Sequence, residues 1–348
     1  MAEPADLDAA KTAWQQDRLA LVAEMEGHKQ TKAQLAATAA ALKACQDAAA
    51  PVPTPPTFVL GQTKPQGHVG AGILRAKPTS VERGTSGFFK TPTSGIVRDK
   101  VFECFVDRSA GTFEFENCIV KGPDTYPDTL KRPLIKAWDE PIVSTVLRYC
   151  TVMHPQMLHD GITNIQGSQY TYEMCDVHHV MDGFRTQPKN GRLDVKLLGV
   201  WIHDLVWFAE AQHADGSHTD GVQNSYGGLG FYAEGCQWDG LLADDAGDPR
   251  PDRRTMSHVM LSPRATKEPY VLDMHLKNCW MDNSQVCFNF AGWGKDTPIP
   301  GGKRLIEGMT WGPGVTIGVL APSALHPSIT ITGSKGGTHP NFRERVNG

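Results

Sequence analysis

The chain has 348 residues, with 34 Lys and Arg against 38 Asp and Glu, for a net charge of −4. So weak a charge argues against a nucleic-acid partner or an anionic membrane surface, and no apolar run approaches the roughly 18 residues of a membrane span. The start, Met1-Ala-Glu-Pro-Ala-Asp6, is acidic and no apolar core follows it, so no secretory leader is expected and folding is expected in a cytoplasm.

Residues 5–49 are rich in Ala, Gln, Lys, Glu and Leu. Leu7, Trp14, Leu21, His28, Leu35 and Leu42 fall on every seventh position, with Met25 and Ala39 between them and Arg18 and Lys32 out of pattern. The heptads predict an α-helical coiled coil over 1–50 and hence self-association, without choosing between dimer and trimer. A single amphipathic helix docked on the body is the plainer reading, and so polar a segment has little apolar face with which to dock. Pro51, Pro53, Pro55 and Pro56 make 51–57 a stiff, extended linker. A body from 58 to 332 and a loose C-terminal extension, 333–348, complete the expected order.

Within the body one short phrase recurs: Phe115-Glu-Asn-Cys118-Ile-Val, Leu147-Arg-Tyr-Cys150-Thr-Val, Tyr172-Glu-Met-Cys175-Asp-Val, Ala233-Glu-Gly-Cys236-Gln-Trp and Leu276-Lys-Asn-Cys279-Trp-Met. A sixth copy, Leu197-Leu-Gly-Val200-Trp-Ile, carries valine at the cysteine position. Each copy alternates apolar and polar residues as a strand does, and Gly, Asn, Asp and Pro punctuate the stretches between. Repetition at such spacing is the mark of a solenoid. The fold class expected is therefore all-β: a right-handed parallel β-helix of roughly 8–10 coils, with the marker residues stacked as an inward ladder. Cysteine suits that ladder as a small apolar side chain. Stacked neighbours about 4.8 Å apart leave disulfides conceivable, but reduced thiols are the expectation.

A second element follows several phrases: Asp160-Gly161, Asp182-Gly183 and Asp220-Gly221, with a degenerate Asp282-Asn283. Asp-Gly is ordinary corner chemistry. If the pairs stack, however, Asp160, Asp182 and Asp220 form a row of carboxylates that perturb each other's ionisation, which is equipment for acid/base work on a glycosidic bond. Asp220 has the richest company: His203, Asp204, His213, Asp215 and His218. His218 is a candidate for tuning the pair or binding substrate. The same histidines and Asp215 offer metal ligands, but their spacing matches no tight metal pattern, so no metal and no cofactor is expected. Trp207 and Phe208, just ahead of this loop, are a candidate sugar-stacking platform beside His213, Asp215 and Gln223; ordinary burial is the competing reading. Long insertions at 121–141 and 240–256 are further places for recognition.

A coiled coil, a proline spacer and a cysteine-laddered β-helix together resemble the minor tail proteins and tailspikes of tailed bacteriophages. The body is similar to the pectate-lyase-like superfamily, and His218-Thr-Asp-Gly-Val-Gln223 looks like tail proteins of phages infecting actinobacteria. That resemblance implies a homotrimeric virion component assembled in the host cytoplasm. It would join other tail proteins through its N-terminal helix and contact host cell-envelope polysaccharide, which some members cut and others only bind. His218-Thr219-Asp220-Gly221 also resembles the Asn-Thr-Asp-Gly motif of polygalacturonase-type hydrolases. Here His replaces Asn, Asp244-Asp245 sits in a Pro-rich stretch, and the Gly-His-Gly and Arg-x-Lys segments are missing. Only Asp220 carries over, with Asp182 or Asp160 as its partner. The sequence favours a glycan-binding tail component, with a tail-borne depolymerase second and a free secreted lyase third.

Overall fold

The computed structural model describes residues 58–124, 132–138, 141–154, 161–208, 217–224, 227–244, 248–261, 272–289, 302–321 and 329–336. The expected coiled coil and the linker lie outside them. The chain divides into two units, Met1–Pro56 and Thr57–Gly348, and every described residue belongs to the second.

The described residues form no helix. They build three long sheets of ten, eleven and nine strands. Successive turns of chain add one strand to each sheet in order, and neighbours pair in parallel: Ile119, Thr151, Asp176, Trp201, Gln237, Trp280 and Thr310 stand in register along the first sheet. This is the architecture of a β-solenoid. The exception is a hairpin in the second sheet, where Leu241–Ala243 runs antiparallel to the long strand Pro249–Leu261. That hairpin occupies the 240–256 insertion. The last strand of the first sheet, Lys335–Gly336, pairs with Thr310–Trp311, so the stack runs past the expected boundary at Thr332.

The repeated phrase is the junction between the third sheet and the first. The residue ahead of each marker turns the chain in the left-handed region: Asp99 (φ 56), Asn117 (φ 51), Tyr149 (φ 51), Met174 (φ 55), Gly199 (φ 61), Gly235 (φ 62), Asn278 (φ 51), Gly308 (φ 63) and Gly333 (φ 63). Gly, Asn and Asp adopt this conformation most readily, and they dominate the set. One residue suffices because hydrogen bonding continues through the corner. Met174 N donates to Leu198 O at 2.8 Å, and Asp176 N donates to Cys150 O at 2.9 Å.

The marker then points inward. Cys118, Cys150, Cys175, Val200, Cys236 and Cys279 are each fully buried, and Met309 extends the ladder. The structure also gives the reason for cysteine over other small residues. The thiols reach carbonyls of the preceding coil, Cys150 Sγ to Phe115 O at 3.4 Å and Cys236 Sγ to Leu197 O at 3.3 Å, so the side chain is apolar in bulk yet supplies a weak donor. All seven described cysteines are free, buried thiols. Burial pushes Cys104 and Cys287 up to about 12, and Cys150 and Cys236 well above the ordinary thiol range.

Two inward rows of the third sheet fill the core beside the ladder. Phe115, Leu147, Tyr172, Leu197, Ala233, Leu276 and Ile306 form one of them, and Tyr172 packs edge-on against Phe184 at 4.9 Å. The chain reaches this body through a strap, residues 58–78, laid against the corner. Gln66 N donates to Gln237 Oε1 at 3.3 Å, Gly70 N to Met174 O at 2.9 Å and Gly72 N to Asn117 Oδ1 at 2.7 Å.

Candidate functional site

The Asp-Gly pairs do stack, in part. Phe184 and Val222 are in register, and Gly183 N donates to Asp220 O at 3.0 Å, which sets Asp182 beside Asp220. On the coil before, the register of Ile165 with Phe184 and the bond from Asn164 N to Asp182 O put Thr163 at that level. Asp160 itself lies outside the described residues. On the coil after, Ser257 is the partner of Asp220. The row is thus Thr163, Asp182, Asp220 and Ser257, and all four are buried, Asp182 and Asp220 completely.

That burial decides the chemistry of the pair. Asp182 Oδ1 accepts the Asp220 backbone N–H at 3.1 Å, and the Ser257 hydroxyl donates to Asp220 Oδ1. Loss of solvent, and then the neighbouring Asp182 charge, hold the Asp220 carboxyl well above the usual carboxylate range. Asp182 and Asp220, two of the three carboxylates read from the sequence as a row, are therefore enclosed, with no surface exposed to solvent.

Trp207, Phe208 and His218 meet solvent a short way along. Phe208 and Ser217 hold each other across the loop they bracket, Phe208 N donating to Ser217 Oγ at 2.9 Å and Ser217 N to Phe208 O at 3.0 Å. Residues 209–216, with His213 and Asp215, lie outside the described residues. Trp207 and His218 line a cleft of about 310 Å³ together with Arg253 and Arg254 from the hairpin. The Trp207 ring is not a bare platform: the Arg253 guanidinium sits 4.2 Å from its centroid and that of Arg250 at 5.3 Å. Phe208 packs against the core. Gln223, between Arg185 and Met260 on the second sheet, does not line the cleft.

No family model, curated protein or solved structure matches this chain.

A third constellation joins two coils of the first sheet. His203 Nδ1 lies 2.6 Å from Asp204 Oδ2 and its Nε2 2.8 Å from Asp176 Oδ1, so an imidazolium donates to both carboxylates. Trp201 stacks on the ring at 3.5 Å and His178 at 5.0 Å. Sequence spacing grouped His203 and Asp204 with the later histidines and passed over Asp176. The signal was present in the repeat, since Asp176 follows the marker Cys175 as Trp201 follows Val200. Among the described residues no group of three or more His, Cys, Asp or Glu is placed to hold a metal ion.

Burial opposes the charge on His203, but the bonds from Asp176 and Asp204 overcome it and raise the group from 6.5 to about 9. A raised basic group stabilises the fold fully below its unfolded value and loses that contribution as pH climbs through its folded one. The bridge is therefore expected to be intact at pH 6 and lost above pH 9, and the shift corresponds to about 3 kcal/mol. Thermal melts of the wild type and His203→Gln between pH 6 and 10 test this. The two curves should converge above pH 9, and a constant separation would show that the bridge contributes nothing through its charge.

Proposed function

We propose that this protein is a structural and adhesive component of a phage-type tail. In this reading a right-handed parallel β-helix, carried on an N-terminal coiled coil and assembled as a homotrimer, binds host-envelope glycan without cutting it. The helix would also attach the body to other tail proteins. The observation that carries the reading is the contrast between the two candidate sites. The acid pair is sealed from solvent, whereas the cleft of Trp207 and His218 opens to it with fixed charges and ring surface. A rigid parallel solenoid supports the same role, since its stacked strands hold outer side chains at fixed spacing for an extended polymer.

The experiment is incubation of the full chain with purified envelope polysaccharide of a candidate host, scored for retained polymer and for released sugar. Retention without release is the expected result. Release that vanishes in Asp220→Asn would replace the adhesin with a depolymerase. Light scattering should give three times the 38.0 kDa chain mass, and a single-chain mass would remove the coiled-coil trimer from the reading.

A further inference from the structure

The cleft beside Trp207 has a charge pattern more specific than general glycan binding requires. The hairpin strand Pro249–Leu261 brings Arg250, Arg253 and Arg254 to one place. Arg250 is neutralised: Asp252 accepts from its Nε at 3.1 Å and from its Nη2 at 3.0 Å, and the arginine holds the Asp252 carboxyl below the usual range. Among the described residues Arg254 uses its Nε alone, donating to Gly314 O at 3.1 Å. Arg253 keeps a looser tie, its Nε 3.5 Å from Asp252. The terminal Nη groups of Arg253 and Arg254 have no partner among the described residues.

Trp207 acts on this pair rather than on a sugar. The Arg253 guanidinium carbon lies 4.2 Å from the indole centroid, and cation–π attraction holds the group over the ring. Both arginines line the same cleft of about 310 Å³ with His218, Ser217 and Gln285, and Asp252, the one carboxylate among the described lining residues, is bound to Arg250 and only loosely tied to Arg253. Two guanidiniums whose terminal donors have no partner among the described residues, one of them held over a ring, form a receptor for an oxyanion, because their paired N–H groups match two oxygens of a carboxylate or phosphate. An uncharged sugar has no group that uses this geometry as well.

We propose that the Trp207 cleft is an oxyanion site, in which Arg253 and Arg254 bind the carboxylate or phosphate groups of an acidic polymer and Trp207 positions Arg253. The proposal rests on the glycan-binding reading above and narrows it to acidic chains. Two sources share this chemistry, uronate sugars and phosphodiester-linked polyols.

The test is equilibrium binding of the full-length protein to polygalacturonate, polyglycerol phosphate and neutral dextran of similar length, at low and high salt. Binding to one or both acidic polymers but not to dextran is expected, weakening as salt screens the contact. Arg253→Gln and Arg254→Gln should each weaken it by about tenfold, as befits a charged hydrogen-bonded pair. Trp207→Leu should weaken it less than Arg253→Gln and add nothing to it in the double variant. Both arginines lie on the hairpin surface, so an unchanged melting curve checks that these variants fold. Dextran bound as tightly as the acidic polymers, or acidic binding untouched in the Arg253→Gln/Arg254→Gln double variant, overturns the oxyanion site and leaves the glycan reading standing. Binding to none of the three polymers overturns both.

Discussion

Asp220→Asn is expected to leave the protein folded and more stable at pH 7 to 8, the reverse of what removing a catalytic carboxylate from an open site would do. Asp220 is completely buried and its carboxyl is held well above the usual range by burial and by Asp182. In the unfolded chain the same group ionises near its ordinary value. The folded state therefore holds a proton that the unfolded state releases, and the fold loses about 1.4 kcal/mol for each pH unit over which that difference persists. For an acid with a raised folded pKa the cost is absent below the unfolded pKa, grows as pH rises, and is constant above the folded pKa. Asparagine matches a protonated carboxyl in shape and keeps an acceptor for the Ser257 hydroxyl. Its melting temperature should exceed that of the wild type at pH 8, by roughly 2–4 °C for each kcal/mol recovered, and the gap should close towards pH 4. Only the difference is diagnostic, because burial also lowers His178 to about 4 and His258 to about 3. Both histidines cost stability in wild type and variant alike as pH falls below 6.5. A variant less stable than wild type across the whole range would mean that Asp220 is ionised in the fold and that its charge has a partner.

The solenoid was legible because the ladder residue is chemically conspicuous. Cysteine recurs where a thiol can be both core and weak donor, so five copies stood out and the valine copy followed from its neighbours. The other coils without cysteine at the marker carry no such signal. Leu305-Ile-Glu-Gly-Met309-Thr-Trp repeats the frame, with Gly308 in the corner and Met309 in the ladder, but methionine carries no such signature. The site was less legible. Asp160, Asp182 and Asp220 share a dipeptide, yet register depends on the length of every intervening loop, and the coil before Asp182 presents Thr163. Whether a strand residue faces solvent or core is likewise invisible in a two-residue motif. The cleft arginines lay in an insertion whose Pro-rich composition read as loop. The hairpin that aims them at Trp207 depends on pairing between 241–243 and 249–261, which propensity does not reveal.

Gly221→Ala is expected to be the more damaging change, although alanine is the smallest replacement available. Sequence logic assigns the glycine of an Asp-Gly pair to backbone freedom, and Gly161 (φ 102) obeys it. Gly183 and Gly221 do not, since neither lies in the left-handed region. They are glycines because adjacent coils close on them. A Cβ on Gly183 would stand 2.4 Å from Gly221 O, and one on Gly221 would stand 2.6 Å from His258 O and 2.6 Å from Trp238 Cδ1. Trp238 is 1 % exposed and His258 is likewise buried, its Nε2 2.7 Å from Asp282 O, so neither neighbour has room to yield. The methyl must part stacked strands, at a cost of about 3 kcal/mol or more by the scale of overpacked cores. Gly87 gives the contrast: its φ of 80° strains any side chain, but nothing lies within 4 Å of the added carbon. Gly87→Ala should cost about 1–2 kcal/mol, the ordinary penalty of a left-handed residue. Chemical-denaturant midpoints of the two variants decide the matter. If Gly221→Ala costs no more than Gly87→Ala, the coils can separate locally, and the enclosure of Asp182 and Asp220 beneath them would be looser than the stacking of Asp182-Gly183 on Asp220-Gly221 implies.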